Sequence, residues 1–405
     1  MSGPELGIGY EPDDGALRDV GSSGGIVDGV TGADMQAVVL ASPGPAEALR
    51  LEKVAMPGIA APDQVLVRVV AAGLNPIDTK LRASMGYYPD RLPAILGCDG
   101  AGEVVAVGTA VTRVRPGDRV AWFFGGLGRE AGSYAQFQVI PEGLIARVPE
   151  GVDMASAAAL PLAWITQEEA LIDLACVSAG ETLLVLGGAG GVGHLAIQRA
   201  ALRGVRVLAT ARSAESAALI EALGGEALRV AEPAAGRDGE SAASSDASGA
   251  VLERLREDLR DATHGRGPEV VLDCVGPSAL CPVLPEVALY GRVVSLLQSF
   301  CGCDAAVYQT ARLRNLTLSH CLMLTPSLLD LQERLVRQRE RVEGGLELLA
   351  SGTVRVHVNV APMAEVVREH RALEAGHTRG KRVLQIWPGR DPSLCKLAVG
   401  SGDWQ

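Results

Sequence analysis

The segment Leu183-Leu184-Val185-Leu186-Gly187-Gly188-Ala189-Gly190-Gly191-Val192-Gly193 constrains this chain most. An apolar run ends in a glycine cluster. Residues 194–203 then have amphipathic helix spacing, and a second apolar run at 206–210 closes the unit. Gly188, Gly190 and Gly193 satisfy G-x-G-x-x-G in the strand–turn–helix setting that a dinucleotide fingerprint requires. One glycine permits the tight turn, one lets backbone approach the pyrophosphate, and one lets helix and strand pack closely. The helix start offers free N–H groups and a positive dipole end to the phosphates. This reading assigns Gly188, Gly190, Gly191, Val192 and Gly193 to cofactor binding. A glycine-rich turn of any α/β protein is the plain alternative, and it leaves the complete βαβ pattern unexplained.

The end of the second strand selects the cofactor. It reads Leu208-Ala209-Thr210-Ala211-Arg212-Ser213, with no carboxylate where NAD-type chains place Asp or Glu on the ribose 2′-hydroxyl. Arg212 and Ser213, next to Thr210, suit a 2′-phosphate, so NADPH is the expected cofactor. The competing reading makes Arg212 a solvated helix-start residue.

The unit sits inside a longer alternation. Helices are expected at 154–163, 167–175 and 216–223, and strands at 270–273 and 292–297. This pattern indicates parallel βαβ units covered on both faces. Before residue 154 the chain reads as short strands (36–40, 64–70, 103–107, 119–124) broken by signals such as Arg115-Pro116-Gly117-Asp118. After it come a surface loop at 231–250, helices at 251–263 and 327–351, and strands at 354–358 and 382–386. Residues 1–34 and 389–405 read as tails.

Composition excludes other classes. The formal net charge of −11 makes the chain a poor partner for nucleic acid, and 3% aromatic residues leave no base-stacking surface. Apolar runs are too short for a membrane span. The acidic, glycine-rich start lacks a secretory pattern, and eight cysteines in a chain this long read as free thiols in a cytoplasmic protein.

Several further motifs occur in a recognisable order: Gly73-Leu74-Asn75-Pro76-Ile77-Asp78-Thr79-Lys80, Leu96-Gly97-Cys98-Asp99-Gly100-Ala101-Gly102-Glu103-Val104, Val114-Arg115-Pro116-Gly117-Asp118-Arg119-Val120, the glycine loop, Asp273-Cys274-Val275-Gly276, and Gly376-His377-Thr378-Arg379-Gly380-Lys381. Together they resemble the zinc-independent quinone oxidoreductase branch of the medium-chain dehydrogenase/reductase superfamily, over roughly residues 35–388. The resemblance implies an α/β fold of two parts. A GroES-like, β-rich catalytic domain is formed by 35–157 and 320–388, and a Rossmann domain with a doubly wound parallel sheet is inserted at 158–319. The cofactor is then expected between them.

The resemblance also bears on metal. Zinc-dependent relatives carry a ligand Cys near Asn75 and read Gly-His-Glu where this chain has Gly97-Cys98-Asp99. One thiol, one carboxylate and no closely spaced cysteine set make a poor zinc site, so no metal is expected. Without a Lewis acid, hydride delivery to a quinone or an α,β-unsaturated carbonyl is the easier chemistry, because the acceptor stabilises its own charge. Tyr88 matches a family tyrosine near the substrate and Asn75 a position near nicotinamide, so both are the catalytic candidates. A packing tyrosine and a turn residue before Pro76 are their alternatives. Thr166, Gly276 and Leu297 match positions at the nicotinamide end, although Gln167-Glu168-Glu169 departs from the apolar residues usual there. Asp99 is read as orienting Asn75 or Lys80, or as satisfying backbone N–H groups. Trp122 and Phe123 are read as pocket wall or core, and His194 as a helix-surface residue. The other classes weighed are a cofactor-binding redox sensor or crystallin-like structural protein, and an alcohol or aldehyde dehydrogenase. A small-molecule substrate is expected, with no nucleic-acid or membrane partner, and a homodimer through a sheet edge that includes 292–297.

Overall fold

Alternating apolar residues build the first half of the molecule from strands. In the computed structural model, which describes residues 34–84, 92–127, 130–230, 245–297, 299–376 and 378–387, these are β1 (Asp34–Leu40), β2 (Leu49–Ala55), β3 (Gln64–Leu74), then helix α1 (Pro76–Ser84), β4 (Ala94–Ile95), β5 (Asp99–Val107), β6 (Arg119–Phe123), β7 (Phe137–Pro141) and β8 (Ile145–Arg147). Both faces of β3 are largely covered: Val65, Leu66, Val67, Val69, Ala71 and Ala72 are all buried. Its register against β5 shifts twice, after Leu66 and after Val69. Such bulges bend a strand and increase its local twist.

Two helices lead out of this half. Asp153 caps α2 (Met154–Ala159) by accepting from Ser156 N–H at 2.8 Å. Pro161 opens α3 (Pro161–Glu168), where its missing N–H costs nothing. The chain continues from α3 into a π-helical turn, Glu169–Leu174, where an ordinary helix over 167–175 is expected from sequence.

Strand and helix then alternate: β9 (Thr182–Leu186), α4 (Gly193–Ala201), β10 (Arg206–Ala211), α5 (Ala214–Ala222), β11 (Glu226–Arg229), α6 (Ser245–Ala262), β12 (Val270–Asp273), α7 (Pro277–Val283), β13 (Arg292–Ser295), α8 (Ala305–Leu313) and β14 (Thr317–His320). All six strands are parallel, in the order β11-β10-β9-β12-β13-β14. Leu183 and Val185 of β9 enter one apolar cluster, Leu184 and Leu186 the other, so the sheet is covered on both faces. The strand order reverses between β9 and β12, which opens a crevice at their carboxyl ends.

The chain finishes with α9 (Thr325–Leu328), α10 (Gln332–Ala350), β15 (Val358–Pro362), α11 (Val366–Glu374) and β16 (Lys381–Gln385). β16 pairs with β3, so the seven-stranded sheet β15-β16-β3-β5-β6-β8, with β7 also on β3, joins both ends of the chain. This is the two-part α/β arrangement expected from the motifs.

Several local expectations are corrected. The strand at 292–297 is not an edge: β13 lies between β12 and β14, and the edge is β14, whose short polar sequence Thr317-Leu318-Ser319-His320 gives little strand signal. Helix α6 begins at Ser245, inside the segment read as loop; residues 231–244 lie outside the described residues, as do 1–33 and 388–405. The helix read at 327–351 is two, separated where Asp330 takes a positive φ of 52°. The strand read at 354–358 is placed later, at Val358–Pro362. The cysteines are not all free, because Cys281 and Cys303 form a disulfide that ties α7 to the segment before α8. Among the described residues no helix is long and apolar enough to cross a membrane.

Candidate active site

The carboxyl ends of β9 and β12 face the catalytic sheet across a cleft of about 1000 Å³. The glycine loop forms one wall. A Cβ at Gly188 would lie 2.6 Å from Ala209 Cβ, and one at Gly193 would lie 2.3 Å from Gly187 O, so both glycines are required by close packing behind the cleft. Gly190 differs. It lines the cleft, and a Cβ there would meet only Gly187 O, at 3.2 Å. The loop therefore presents bare backbone to the cleft at the start of α4, as a pyrophosphate requires. Thr210 fixes the loop: its hydroxyl accepts from Gly187 N–H at 2.9 Å and its carbonyl from Gly188 N–H at 3.2 Å.

Asn75, Thr166, Gly190, Gly191, Val192, Thr210, Arg212, Ser213 and Leu297 all line this one cleft. Gly188, Gly193 and Gly276 lie behind its surface and shape it. Asp273 holds the far wall. Its carboxylate accepts from Val275 N–H at 3.0 Å, Gly276 N–H at 2.9 Å and the Ser295 hydroxyl at 2.8 Å, and Ser295 Oγ in turn accepts from Leu297 N–H at 3.1 Å. The Thr166 hydroxyl donates to Leu162 O at 2.6 Å. Tyr88 lies outside the described residues.

The floor is a buried polar cluster that sequence reading captured only in part. Asn75 Nδ2 donates to Asp99 Oδ2 at 2.9 Å and lies 3.8 Å from Cys98 Sγ, while its Oδ1 accepts from Lys381 Nζ. Lys381 also donates to Leu74 O at 3.2 Å and pairs with Asp99 Oδ2 at 3.4 Å. Asp99 thus orients Asn75, as expected, and takes Leu162 N–H at 2.9 Å. Its cation is Lys381 rather than the exposed Lys80. Lys381 is only 4% exposed, with its stem against Gly191. Sequence reading quoted Lys381 in a motif without giving it a role. Only the strand pairing of β16 with β3 brings it to Asn75.

Behind this floor, Asp78 accepts from Asn75 N–H at 2.8 Å and the Tyr134 hydroxyl at 3.2 Å, with His370 Nε2 3.3 Å beyond Tyr134. Burial pushes Asp78 up to about 7, with the Asp99 charge adding to it, and raises Asp99 as well. The Cys98 thiol is driven well above its ordinary value by burial and by both carboxylates, so it is held as a neutral thiol.

One further expectation changes, and the choice between pocket wall and core for Trp122 and Phe123 is decided. His194 is fully buried, not on a helix surface. Its Nδ1 lies 2.9 Å from Gly190 O, and its Nε2 accepts from His357 N–H at 3.3 Å, which joins the glycine loop to the catalytic side. Burial lowers its pKa to about 4, so the ring is neutral. Trp122 and Phe123 are core residues; Trp122 donates to Gln138 Oε1 at 3.0 Å.

Known proteins share this fold. Residues 61–150 match the alcohol dehydrogenase GroES-like domain, and residues 246–384 match the zinc-binding dehydrogenase family. A quinone oxidoreductase of Pseudomonas aeruginosa is 33% identical over 330 residues, 80% of this chain and 91% of that protein. An NADPH-dependent alkenal/one oxidoreductase from the chloroplast of Arabidopsis thaliana is 40% identical over 203 residues, 48% of this chain and 51% of that protein. A mycobacterial protein solved in complex with NADPH superposes with a TM-score of 0.71 at 28% identity, over 87% of this chain and 100% of that one.

Proposed function

The chain belongs to the quinone oxidoreductase branch of the medium-chain dehydrogenase/reductase superfamily, and we propose that it is an NADPH-dependent reductase of quinones or α,β-unsaturated carbonyls that works without zinc. It is an oxidoreductase. When bound, the nicotinamide would supply the hydride. Gly190, Gly191 and Val192 hold the pyrophosphate at the start of α4, Arg212 and Ser213 hold the 2′-phosphate, and Thr166, Gly276 and Leu297 shape the nicotinamide end. Tyr88 is assigned the hydrogen bond to the substrate oxygen on its sequence position.

The observation that carries the zinc-free reading is the Lys381 ammonium, set among Asn75 Oδ1, Asp99 Oδ2 and Leu74 O. A divalent cation among these donors would face a like charge within a few ångströms. Asn75, with its amide engaged on both sides, is held at the floor by Lys381 and Asp99. The activated acceptor then carries developing charge through its own conjugation. A homodimer through the β14 edge, beside exposed Leu313 and Leu322, completes the proposal.

The test is NADPH oxidation against a benzoquinone, a naphthoquinone, an alkenal, an enoyl thioester and a simple aldehyde, each with and without a chelator. Turnover of quinones or enones that survives chelation is expected. Chelator-sensitive aldehyde reduction, or cofactor binding with no turnover of any acceptor, would overturn the reading.

A further inference from the structure

Arg379, Gly380 and Lys381 run along the cleft in one stretch that belongs to the catalytic side. At one end Lys381 reaches Asn75. In the middle, Gly380 N–H donates to Ala189 O of the glycine loop at 2.8 Å. At the other end Arg379 Nη1 lies 3.6 Å from Glu215 Oε2, in the first turn of α5. Both side chains are open to solvent, at 45% and 67% exposure, and both residues line the cleft beside Arg212 and Ser213.

The surroundings of Glu215 are those of a bound anion. The Ser213 hydroxyl holds its carboxyl below the ordinary range, helped by Arg379 and by Arg229 at the end of β11. The Ser213 hydroxyl and the Arg379 guanidinium lie beside this carboxylate at the rim where the adenosine end of the cofactor is placed. A phosphate needs the same donors, and arginine suits it better than any other side chain. The ion pair that Arg379 now makes is exposed and therefore weak, so giving it up costs little.

We propose that Arg379 determines specificity for the 2′-phosphate of the cofactor, reaching it from outside the parallel sheet, and that Glu215 is the internal anion it leaves when the phosphate arrives. This deepens the NADPH reading and rests on it. Because Arg379 and Lys381 share one short stretch, recognition at the adenosine end is tied to the floor of the reaction end.

The test uses the full chain and two probes, adenosine 2′,5′-bisphosphate and 5′-AMP, titrated by isothermal calorimetry. In the wild type the bisphosphate should bind more tightly. Arg379→Ala should weaken the bisphosphate roughly tenfold and leave 5′-AMP unchanged, as expected for one lost charge-assisted contact. Arg379→Lys should recover part of that loss. Glu215→Gln should tighten the bisphosphate a few-fold, because the competing anion is gone. If the wild type binds both probes equally, the NADPH reading and the Arg379 proposal fall together. If the wild type prefers the bisphosphate and Arg379→Ala keeps the full preference, only the Arg379 proposal falls, and Arg212 and Ser213 hold the phosphate without it.

Discussion

Lys381 and Asp99 form an ion pair at 4% and 0% exposure. Removing one partner of such a pair leaves an uncompensated buried charge, which costs about 3–5 kcal/mol. Lys381→Met should lose stability of that order in chemical denaturation, and adding Asp99→Asn should recover most of it. Additive losses would contradict the pairing. His194 makes a second claim at this scale. The unfolded chain protonates it near 6.5, whereas the folded ring refuses a proton until about 4. The stability it contributes is therefore fully present above about 6.5 and is lost progressively as pH falls towards about 4, on the order of 3 kcal/mol. The stability gap between the wild type and His194→Gln should narrow by that amount between pH 7 and pH 4, while groups common to both cancel. A constant gap would show that His194 is not held neutral. Neither role was legible in the sequence. The glycine loop makes its residues readable one by one, but Lys381 and His194 gain their roles from partners 306 and 163 residues away.

At the scale of elements, the sequence was most legible where period and punctuation agree. β9, the glycine loop and α4 follow from an apolar run, glycines and helical spacing, and the structure places all three there. It was least legible where a strand is short or a helix departs from the α form. β14 has four residues with polar ends, and the π-helical turn after α3 gives no signal distinct from helix. The disulfide was missed because two cysteines 22 residues apart carry no pattern of their own. Within the loop, the glycines divide by what their missing side chains meet. Gly188→Ala should destabilise by about 1–3 kcal/mol, since its methyl group would press on Ala209 and Ile220. Gly190→Ala should change stability by less than about 0.5 kcal/mol but weaken NADPH roughly tenfold, about 1.4 kcal/mol. Melting curves and a fluorescence titration separate the two. Equal effects of both substitutions on folding and on binding would refute this division.

At the scale of the molecule, two sheets meet across one cleft. One is parallel and continuous in sequence; the other joins residues 64–147 to 358–385. The ordered motifs carried this architecture into the sequence reading, because each marks a turn or close approach that the fold needs. Substrate identity was not carried in the same way. The cleft wall draws on Ile77, Leu162, Met323 and Leu373, which are brought together only by folding. The central claim is hydride transfer to the conjugated carbon without a metal. It is tested by reducing an enone with 4-deuterated NADPH and chelator-stripped enzyme, then locating the deuterium by NMR. Deuterium on the β-carbon of a saturated ketone is the expected result. Deuterium on the carbonyl carbon, or transfer only after zinc is restored, would contradict the account.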